Sequence, residues 1–402
     1  MIRYLTAGES HGQALVGIVE GVPAGLSISP DYINHQLRRR QEGYGRGGRM
    51  RIEADAVEIL SGVRFGKSLG SPISLLIRNK DSQNWTGKMS VGGSPVGVEK
   101  VTVPRPGHAD YVGMLKYGFE DIRNVIERAS ARETAMRVAC CTIARALLEE
   151  FGIFIGSHVL GIGPALITDR SSIDASIGKY SRAACGAYKV TEEADKSEVR
   201  ILDRKTEAKA VAAIRKVKKL GDTLGGIFEV LVTGAPVGLG SYVHHERKLD
   251  GQIAQSIMSI QAVKGVEIGY GFANAGRYGS QVHDAFGMRA GEIVRQSNRA
   301  GGLEGGVTNG ETIVIHGAMK PISTLAKPLK SIDFETGKVV NARYERSDVC
   351  AVPACSVIAE AVIAPVIANS FLEKFGGDSV GEIKARYRPG SRRGPESRGS
   401  KS

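Results

Sequence analysis

Two histidines stand where a proton could be moved. His11 lies in Gly8-Glu9-Ser10-His11-Gly12 and His108 in Arg105-Pro106-Gly107-His108-Ala109-Asp110, each in a glycine-flanked turn beside ionic groups. An imidazole with a reference pKa of about 6.5 gives or takes a proton near neutrality, and nearby arginines or a bound phosphate decide which form prevails. Guanidinium groups gather in three places: Arg38, Arg39, Arg40, Arg46, Arg49 and Arg51; then Arg105; then Arg123, Arg128, Arg132 and Arg137. The first group is threaded with Gly43, Gly45, Gly47 and Gly48, whose missing side chains let backbone N–H groups approach an anion. Arginine forks bind phosphate or carboxylate in bidentate fashion, so the pattern points to a small anionic substrate. A solvated basic face is the plainer alternative. A helix running through Arg128 would put Arg128, Arg132 and Glu133 within one turn or so, with Ser130 as a further donor. The stretches from Ser297 to Gly310 and from Lys320 to Thr324 add donor-rich backbone for a phosphate or a heterocycle. His244 and His245 read as exposed polar residues at a helix start.

Three local patterns suggest other chemistry and fail on context. Gly8-Glu9-Ser10-His11-Gly12 has the G-x-S-x-G form of a serine-hydrolase elbow, with Ser10 as nucleophile. That elbow needs a sheet and an oxyanion loop upstream, and seven residues precede Gly8. Gly43-Tyr44-Gly45-Arg46-Gly47-Gly48 fits G-x-G-x-x-G but follows an arginine-rich helical pattern instead of a strand. Gly62-Val63-Arg64-Phe65-Gly66-Lys67-Ser68 is one residue short of a P-loop.

Composition narrows the class. The chain has 402 residues, 42% hydrophobic and 24% charged, with Lys and Arg exceeding Asp and Glu by 54 to 42, a net charge of +12. This is a globular protein drawn to anions, and charge alone leaves nucleic acid open as a partner. No basic motif is interleaved with aromatics, which counts against a nucleic-acid-binding function. Cys140, Cys141, Cys185, Cys350 and Cys355 form no C-x-x-C pair and no zinc-ligand spacing, so free thiols and no metal are expected. The N-terminus lacks a signal-peptide pattern, and the apolar stretch from Val357 to Phe371 is broken by Glu360, Pro365 and Asn369 and falls short of a ~20-residue span. The expectation is a soluble, cytoplasmic protein without a membrane partner.

The elements that must position these residues are legible in outline. Ile2 to Thr6, Leu15 to Val19, Ile73 to Ile77, Ile227 to Val232 and Thr312 to Ile315 have strand length and β-branched content. Helical patterns cover Pro30 to Gln41, Asn124 to Phe151, Arg204 to Leu220, Lys248 to Ile260 and Pro353 to Phe375, with Ser29 as an N-cap and Gly152, Gly221 and Gly376 as stops. Strands do not alternate regularly with helices, which favours α+β over a doubly wound parallel sheet. Asp81 to Ala109, with the only tryptophan, Trp85, and Gln296 to Gly310 read as long loops. Residues 1–385 are expected to form one catalytic domain and 386–402 a mobile basic tail.

Taken together, the blocks resemble the chorismate synthase family. The resemblance runs from Tyr4 to about Glu382 and is carried by Gly8-Glu9-Ser10-His11-Gly12, Arg38-Arg39-Arg40-Gln41 with Gly43-Tyr44-Gly45-Arg46-Gly47, and Arg105-Pro106-Gly107-His108-Ala109-Asp110. Further blocks are Glu127-Arg128-Ala129-Ser130-Ala131-Arg132-Glu133-Thr134, Ser297-Asn298-Arg299-Ala300-Gly301-Gly302 and Arg346-Ser347-Asp348. Family members often carry two serines after the arginine of the fourth block, where this chain has Ala129-Ser130. The resemblance implies an α+β subunit with a β-sandwich core of two largely antiparallel sheets flanked by helices, assembled as a homotetramer. It implies an anti 1,4-elimination of phosphate from 5-enolpyruvylshikimate 3-phosphate to chorismate, with reduced FMN lending an electron and recovering it. By the same resemblance His11 acts as acid toward the departing phosphate, His108 sits by the flavin, and Asp348 helps the flavin accept the substrate hydrogen. Arg40, Arg49, Arg105, Arg132 and Arg346 would clamp the substrate. Arg128, Ala129, Ser130, Gln261, Ala262, Gly306, Lys320, Pro321, Ile322, Ser323, Thr324 and Arg346 would contact the flavin. Arg40 and Arg46 also match positions assigned to NADPH, which only some members use to reduce their own flavin.

Overall fold

Among the described residues the local signals resolve into two larger antiparallel sheets, four two-stranded ribbons and a helical layer. The computed structural model describes residues 1–47, 54–167, 185–345 and 347–387. Strands β1 (Arg3–Ala7), β2 (Ala14–Glu20), β3 (Val57–Ile59) and β4 (Ile73–Arg78) form a sheet in the order β1-β2-β4-β3. Strands β5 (Phe154–Ile162), β6 (Ala165–Leu166), β7 (Gly226–Thr233), β8 (Val263–Ile268) and β9 (Ile313–Met319) form a second, ordered β8-β9-β7-β5-β6. The principal helices are α1 (Pro30–Gln41), α2 (Asp110–Tyr117), α3 (Arg123–Ala129), α4 (Thr134–Glu150), α5 (Gly186–Ala194), α6 (Arg204–Leu220), α7 (Leu249–Met258), α8 (Val352–Phe375) and α9 (Val380–Arg386).

Capping chemistry sets the clearest boundaries. Ser29 accepts from the Tyr32 N–H and Pro30 opens α1, while Asp31 in its first turn and Arg38, Arg39 and Arg40 in its last complement the helix dipole. Asp203 caps α6 in the same way, and Gly221 ends it in the left-handed region.

The α+β expectation holds, but the layer order differs from two sheets packed together with helices outside. Helices α1, α4 and α8 stand between the sheets, α4 packing against β2 and β4 on one side and α8 against β5 and β7 on the other. Gly17 of β2 shows how close that approach is: a Cβ there would sit 2.4 Å from Cys140 Sγ of α4. The far face of the second sheet is covered too, since Ala187 and Val190 of α5 pack on Leu231 of β7. Hence β5 and β7 are buried along nearly their whole length, whereas β2 and β4 alternate and leave Ile18 at the surface. The reason lies in sequence: helices apolar on every side, such as α8, are stable only when surrounded.

Three boundaries differ from expectation. The helix read as continuous from Asn124 to Phe151 breaks at Ser130, which is extended at φ −62° and ψ 139° and whose hydroxyl accepts from the Arg132 N–H. Arg128 and Arg132 therefore lie on different elements and point apart. The apolar stretch around Val357 belongs to a helix of 24 residues, long and apolar enough to cross a bilayer, and it is its burial in the core that makes it a globular-protein helix. Order also extends past residue 385: Arg386 closes α9 and Tyr387 packs edge-on against Phe371, with ring centroids 5.0 Å apart. The rest of the expected tail, 388–402, lies outside the described residues.

Candidate active site

The turn between β1 and β2 carries His11. Gly8 there has φ +108°, and a Cβ would meet the Ala14 carbonyl oxygen at 2.4 Å, so this turn admits no larger residue without moving. The Ser10 N–H donates to the Glu127 carbonyl at 3.1 Å and the His11 N–H to Glu127 Oε2 at 2.8 Å. His11 Nδ1 lies 2.9 and 3.0 Å from the two carboxylate oxygens of Glu127. Trp85 stacks on the imidazole with centroids 4.0 Å apart and donates its indole N–H to Asp81. Arg123 lies 5.0 Å over the same indole and donates to Glu127 Oε1 at 3.3 Å. Burial pushes the Glu127 carboxyl up, but the hydrogen bonds and charge of His11, with Arg123 behind them, outweigh it and hold the group below the usual carboxylate range. The Ser10 hydroxyl is buried and shares a hydrogen bond with Ser130 Oγ at 3.1 Å, which ties the turn to the α3–α4 break.

Asn79, at the end of β4, joins this turn to the arginines. Its amide donates to the carbonyls of Glu9 and Gly12, and its Oδ1 accepts from Arg132 Nε at 3.0 Å. Arg132 Nη1 reaches Asp55 Oδ1 at 2.5 Å, and Arg40 Nη1 lies 3.5 Å from Asp55 Oδ2. Arg40 also donates from Nε to Thr134 Oγ1 and from Nη2 to the Ala131 carbonyl, whereas Nη1 has no hydrogen-bond partner. Burial, opposed by Asp55 and reinforced by Arg46 and Arg132, lowers the Arg40 guanidinium pKa to about 9. Two buried guanidinium groups on one carboxylate leave a positive charge that a bound anion would balance.

A second module faces the same charges. Asp348 accepts from Arg46 Nη1 at 2.7 Å and from the Gly47 N–H at 2.6 Å. The Ser347 hydroxyl donates to the Thr324 carbonyl, and Thr324 Oγ1 accepts from Arg105 Nη1 at 3.2 Å. Asp110, fully buried, gathers the Arg105 backbone N–H, Arg105 Nε and Nη2, and His108 Nδ1 at 2.5 Å. Burial alone would raise the Asp110 carboxyl; His108 and Arg105 reverse that and hold it far below the carboxylate range. Lys320 Nζ closes the module on the Gly107 carbonyl at 2.6 Å.

The structure thus joins His11, Ser130, Arg40 and Arg132 on one side, and Arg46, Asp348, Arg105, His108, Lys320 and Thr324 on the other. Gln261 and Arg128 meet a third edge: Gln261 Nε2 donates to Glu133, whose other oxygen accepts from Thr6, and Arg128 donates to the Thr6 carbonyl. Gln261 Oε1 is enclosed with no hydrogen-bond partner, an acceptor that a heterocycle N–H would satisfy, and Ala262 beside it holds φ +68°, a conformation alanine adopts only under constraint. Ala129 ends α3 next to Ser130, and Ile322 is tied through its carbonyl to Thr223. Pro321 and Ser323 lie on the same segment. Gly306 is different, for its Cβ would meet Lys248 at 2.7 Å and its carbonyl accepts from the Leu249 N–H, so packing of its own chain accounts for it. Arg49 and Arg346 lie outside the described residues. Sequence reasoning missed Asp55, Asn79 and Trp85 as site residues. Asp55 and Asn79 are single polar residues beside short strands, and no spacing announces them.

Chains of known function give the same reading. The family described as chorismate synthase matches residues 2–372. Chorismate synthases of Chlorobium phaeovibrioides and Chlorobaculum tepidum are each 57% identical to this chain, the alignments covering 96% of this chain and 96% of theirs. A crystal structure of chorismate synthase superposes with a TM-score of 0.75 at 44% identity, covering 96% of each chain. The arginine-rich site, the α+β fold and these likenesses together place the chain in the chorismate synthase family, lyases that eliminate phosphate from 5-enolpyruvylshikimate 3-phosphate to give chorismate on the way to aromatic amino acids.

Proposed function

We propose that the elimination runs in the space bounded by the Asp55 cluster, the His11 turn and the Arg105 module. The observation that carries this reading is the convergence of two buried guanidinium groups, Arg40 and Arg132, on the single carboxylate of Asp55, with Arg40 Nη1 and Asp55 Oδ2 3.5 Å apart and neither hydrogen-bonded. A phosphate or carboxylate of the substrate completes that balance. Arg40 and Arg132, with Arg105 opposite and Arg49 and Arg346 by sequence, orient the phosphate and the two carboxylates. His11 hands a proton to the departing phosphate. His108, bound to Asp110, and Asp348, bound to Arg46, govern the proton inventory where the C–H bond breaks.

Gln261, Ala262, Arg128, Ala129 and Ser130 on one edge and Lys320 to Thr324 on the other fit an FMN site, Gln261 Oε1 being the acceptor that lacks a partner. Bound there, reduced FMN supplies transient electron density to the substrate without net oxidation. Gly306 is the weakest member of the set. Of the two arginines assigned to NADPH, Arg46 is the more open. A homotetramer is supported by apolar surface that a partner would cover: Leu5 is 71% exposed on the open face of the first sheet, and Phe286, Met288 and Ile293 stand out from the hairpin of Phe286–Arg289 with Glu292–Arg295. The cytoplasm is the compartment of this reading.

Phosphate release tests it. Full-length protein with FMN and substrate, kept anaerobic, should release phosphate only after dithionite is added. Equal release without flavin overturns the reading, as does loss of all activity in Ser10→Ala with flavin dispensable.

A further inference from the structure

His11 is held by more than its turn. Among the described residues, Glu127 holds the ring along its Nδ1 edge and Trp85 on one face, with Arg123 bracing both, over the indole and against Glu127 Oε1. Arg123 is in turn tied to Glu345 at 3.4 Å. Other charged groups near the stack are Asp81, which accepts from the indole N–H, and Lys88, whose Nζ lies 5.6 Å over the indole ring. Glu9, within the turn, packs against Gly12. Glu127 is the only one of these to hold the ring nitrogen and the backbone N–H of His11 together.

We infer that Glu127 is a positioning residue for the elimination: its carboxylate keeps a proton on His11 Nδ1 and so commits Nε2 to proton exchange with the substrate. This rests on the reading of His11 as the acid. An ionised carboxylate only accepts, so the edge of the ring that meets it must carry the hydrogen. A carboxylate in this place fixes ring tautomer and orientation together. Trp85 keeps the ring plane from rotating and keeps water from one face.

Glu127→Gln separates this role from simple packing because it changes hydrogens without changing shape. The amide oxygen would stay on the His11 backbone N–H, which has nothing to accept with, and the NH2 would then face Nδ1. That NH2 takes the position nearer Nδ1, at 2.9 Å against 3.0 Å for the oxygen, and with the ionised acceptor gone the donor there shifts the ring proton toward Nε2. The test is nitrogen-15 NMR of full-length protein carrying labelled histidine, with the His11 signals assigned from His11→Gln. In the wild type, the neutral His11 ring should show a protonated Nδ1 and an unprotonated Nε2, the reverse of the usual preference. In Glu127→Gln the two should exchange roles. In turnover, kcat should fall about 10²-fold while KM moves less than about threefold, since a mis-set acid fails in the transition state and not in binding. A wild-type ring with its neutral proton on Nε2 overturns the inference without any variant. So does a Glu127→Gln protein whose kcat is intact. If His11→Gln itself turns over normally, the assignment of the acid fails, and the tautomer measurement still decides what Glu127 does to the ring.

Discussion

Arg39 and Arg40 are consecutive residues of α1 with side chains 3% and 4% exposed, yet they enter regions of opposite character. Arg39 runs into the helical layer, where Nε meets Asp195, Nη1 meets Gln36 and Glu360, and Nη2 meets the second oxygen of Glu360. Glu360 also takes Arg145 at 2.7 Å, Arg200 at 3.2 Å and the Ser157 hydroxyl at 2.5 Å. Arg40, turned about 100° around the helix, enters the site and leaves Nη1 without a hydrogen bond. Depressed basicity does not separate the two regions, since burial brings Arg200 of the core cluster to about 9 as it does Arg40. The balance of charge does. Arg39, Arg145 and Arg200 meet three carboxylates, those of Glu360, Asp195 and Glu149, whereas among the described residues Arg40 and Arg132 share the one carboxylate of Asp55.

The largest effect should come from opening the closed cluster. Glu360→Gln leaves three buried arginines facing a neutral amide, and removing one member of a buried ionic network costs about 3–5 kcal/mol. Burial pushes the Glu360 carboxyl up, but Arg39 and Arg145 overcome it and hold it well below the carboxylate range. A carboxyl depressed in the folded state contributes stability above its unfolded pKa of about 4.3 and loses it as pH falls toward the folded value. Wild-type stability should therefore drop below about pH 4, while Glu360→Gln, already lacking that contribution, should show a flatter acid limb in urea titrations. A variant with the wild-type midpoint would mean that the cluster is not what holds α1, α4 and α8 together.

Arg40→Met probes the open region. It removes a donor set whose full complement needs a substrate anion, so kcat/KM should fall at least ~10²-fold, the scale of one lost electrostatic contact to developing charge. The urea midpoint should move far less than in Glu360→Gln, because Asp55 keeps Arg132. If Arg40→Met unfolds as readily as Glu360→Gln, the two regions are alike and the comparison collapses.

How much of this could be read beforehand follows from the same contrast. The boundaries of α1 and α6 were legible because their caps are local: Ser29 with Pro30, Asp203, Gly221. The interruption of α3 and α4 at Ser130 was not: the Ser130 hydroxyl accepts from the Arg132 N–H and also meets Ser10, more than a hundred residues away, a contact that no local pattern announces. His11, His108 and the arginines stood out by type and by turn chemistry. Their partners did not: Asp55 and Asn79 gain meaning only when β3 and β4 carry them to Arg132. His158 and His316 show the converse, since cross-strand pairing sets both against the buried Glu229, at 2.9 and 2.6 Å, as parts of the sheet. The layer order was missed because strand and helix patterns say which face is apolar and not what covers it.

The smallest effect belongs to the chain's end, where basic residues again divide within a few positions. Lys384 pairs with Glu150, and Arg386 donates to the Gly376 carbonyl, closing α9 onto the end of α8. Tyr387 then fills the aromatic group of Phe151, Phe371 and Phe375. Past it, Arg388 to Ser402 contains no apolar side chain larger than proline. Removing 388–402 should thus leave both kcat and the urea midpoint unchanged within error. Removing 386–402 also takes the buried Tyr387 and the Arg386 contact, which should cost on the order of 2 kcal/mol, the scale of burying one aromatic side chain with its ring pairs. Activity at low temperature should survive both truncations, because neither touches the arginine cluster or the His11 turn. If the shorter truncation alone lowers kcat, the basic tail takes part in turnover and the division between closed and open arginines does not extend to the terminus.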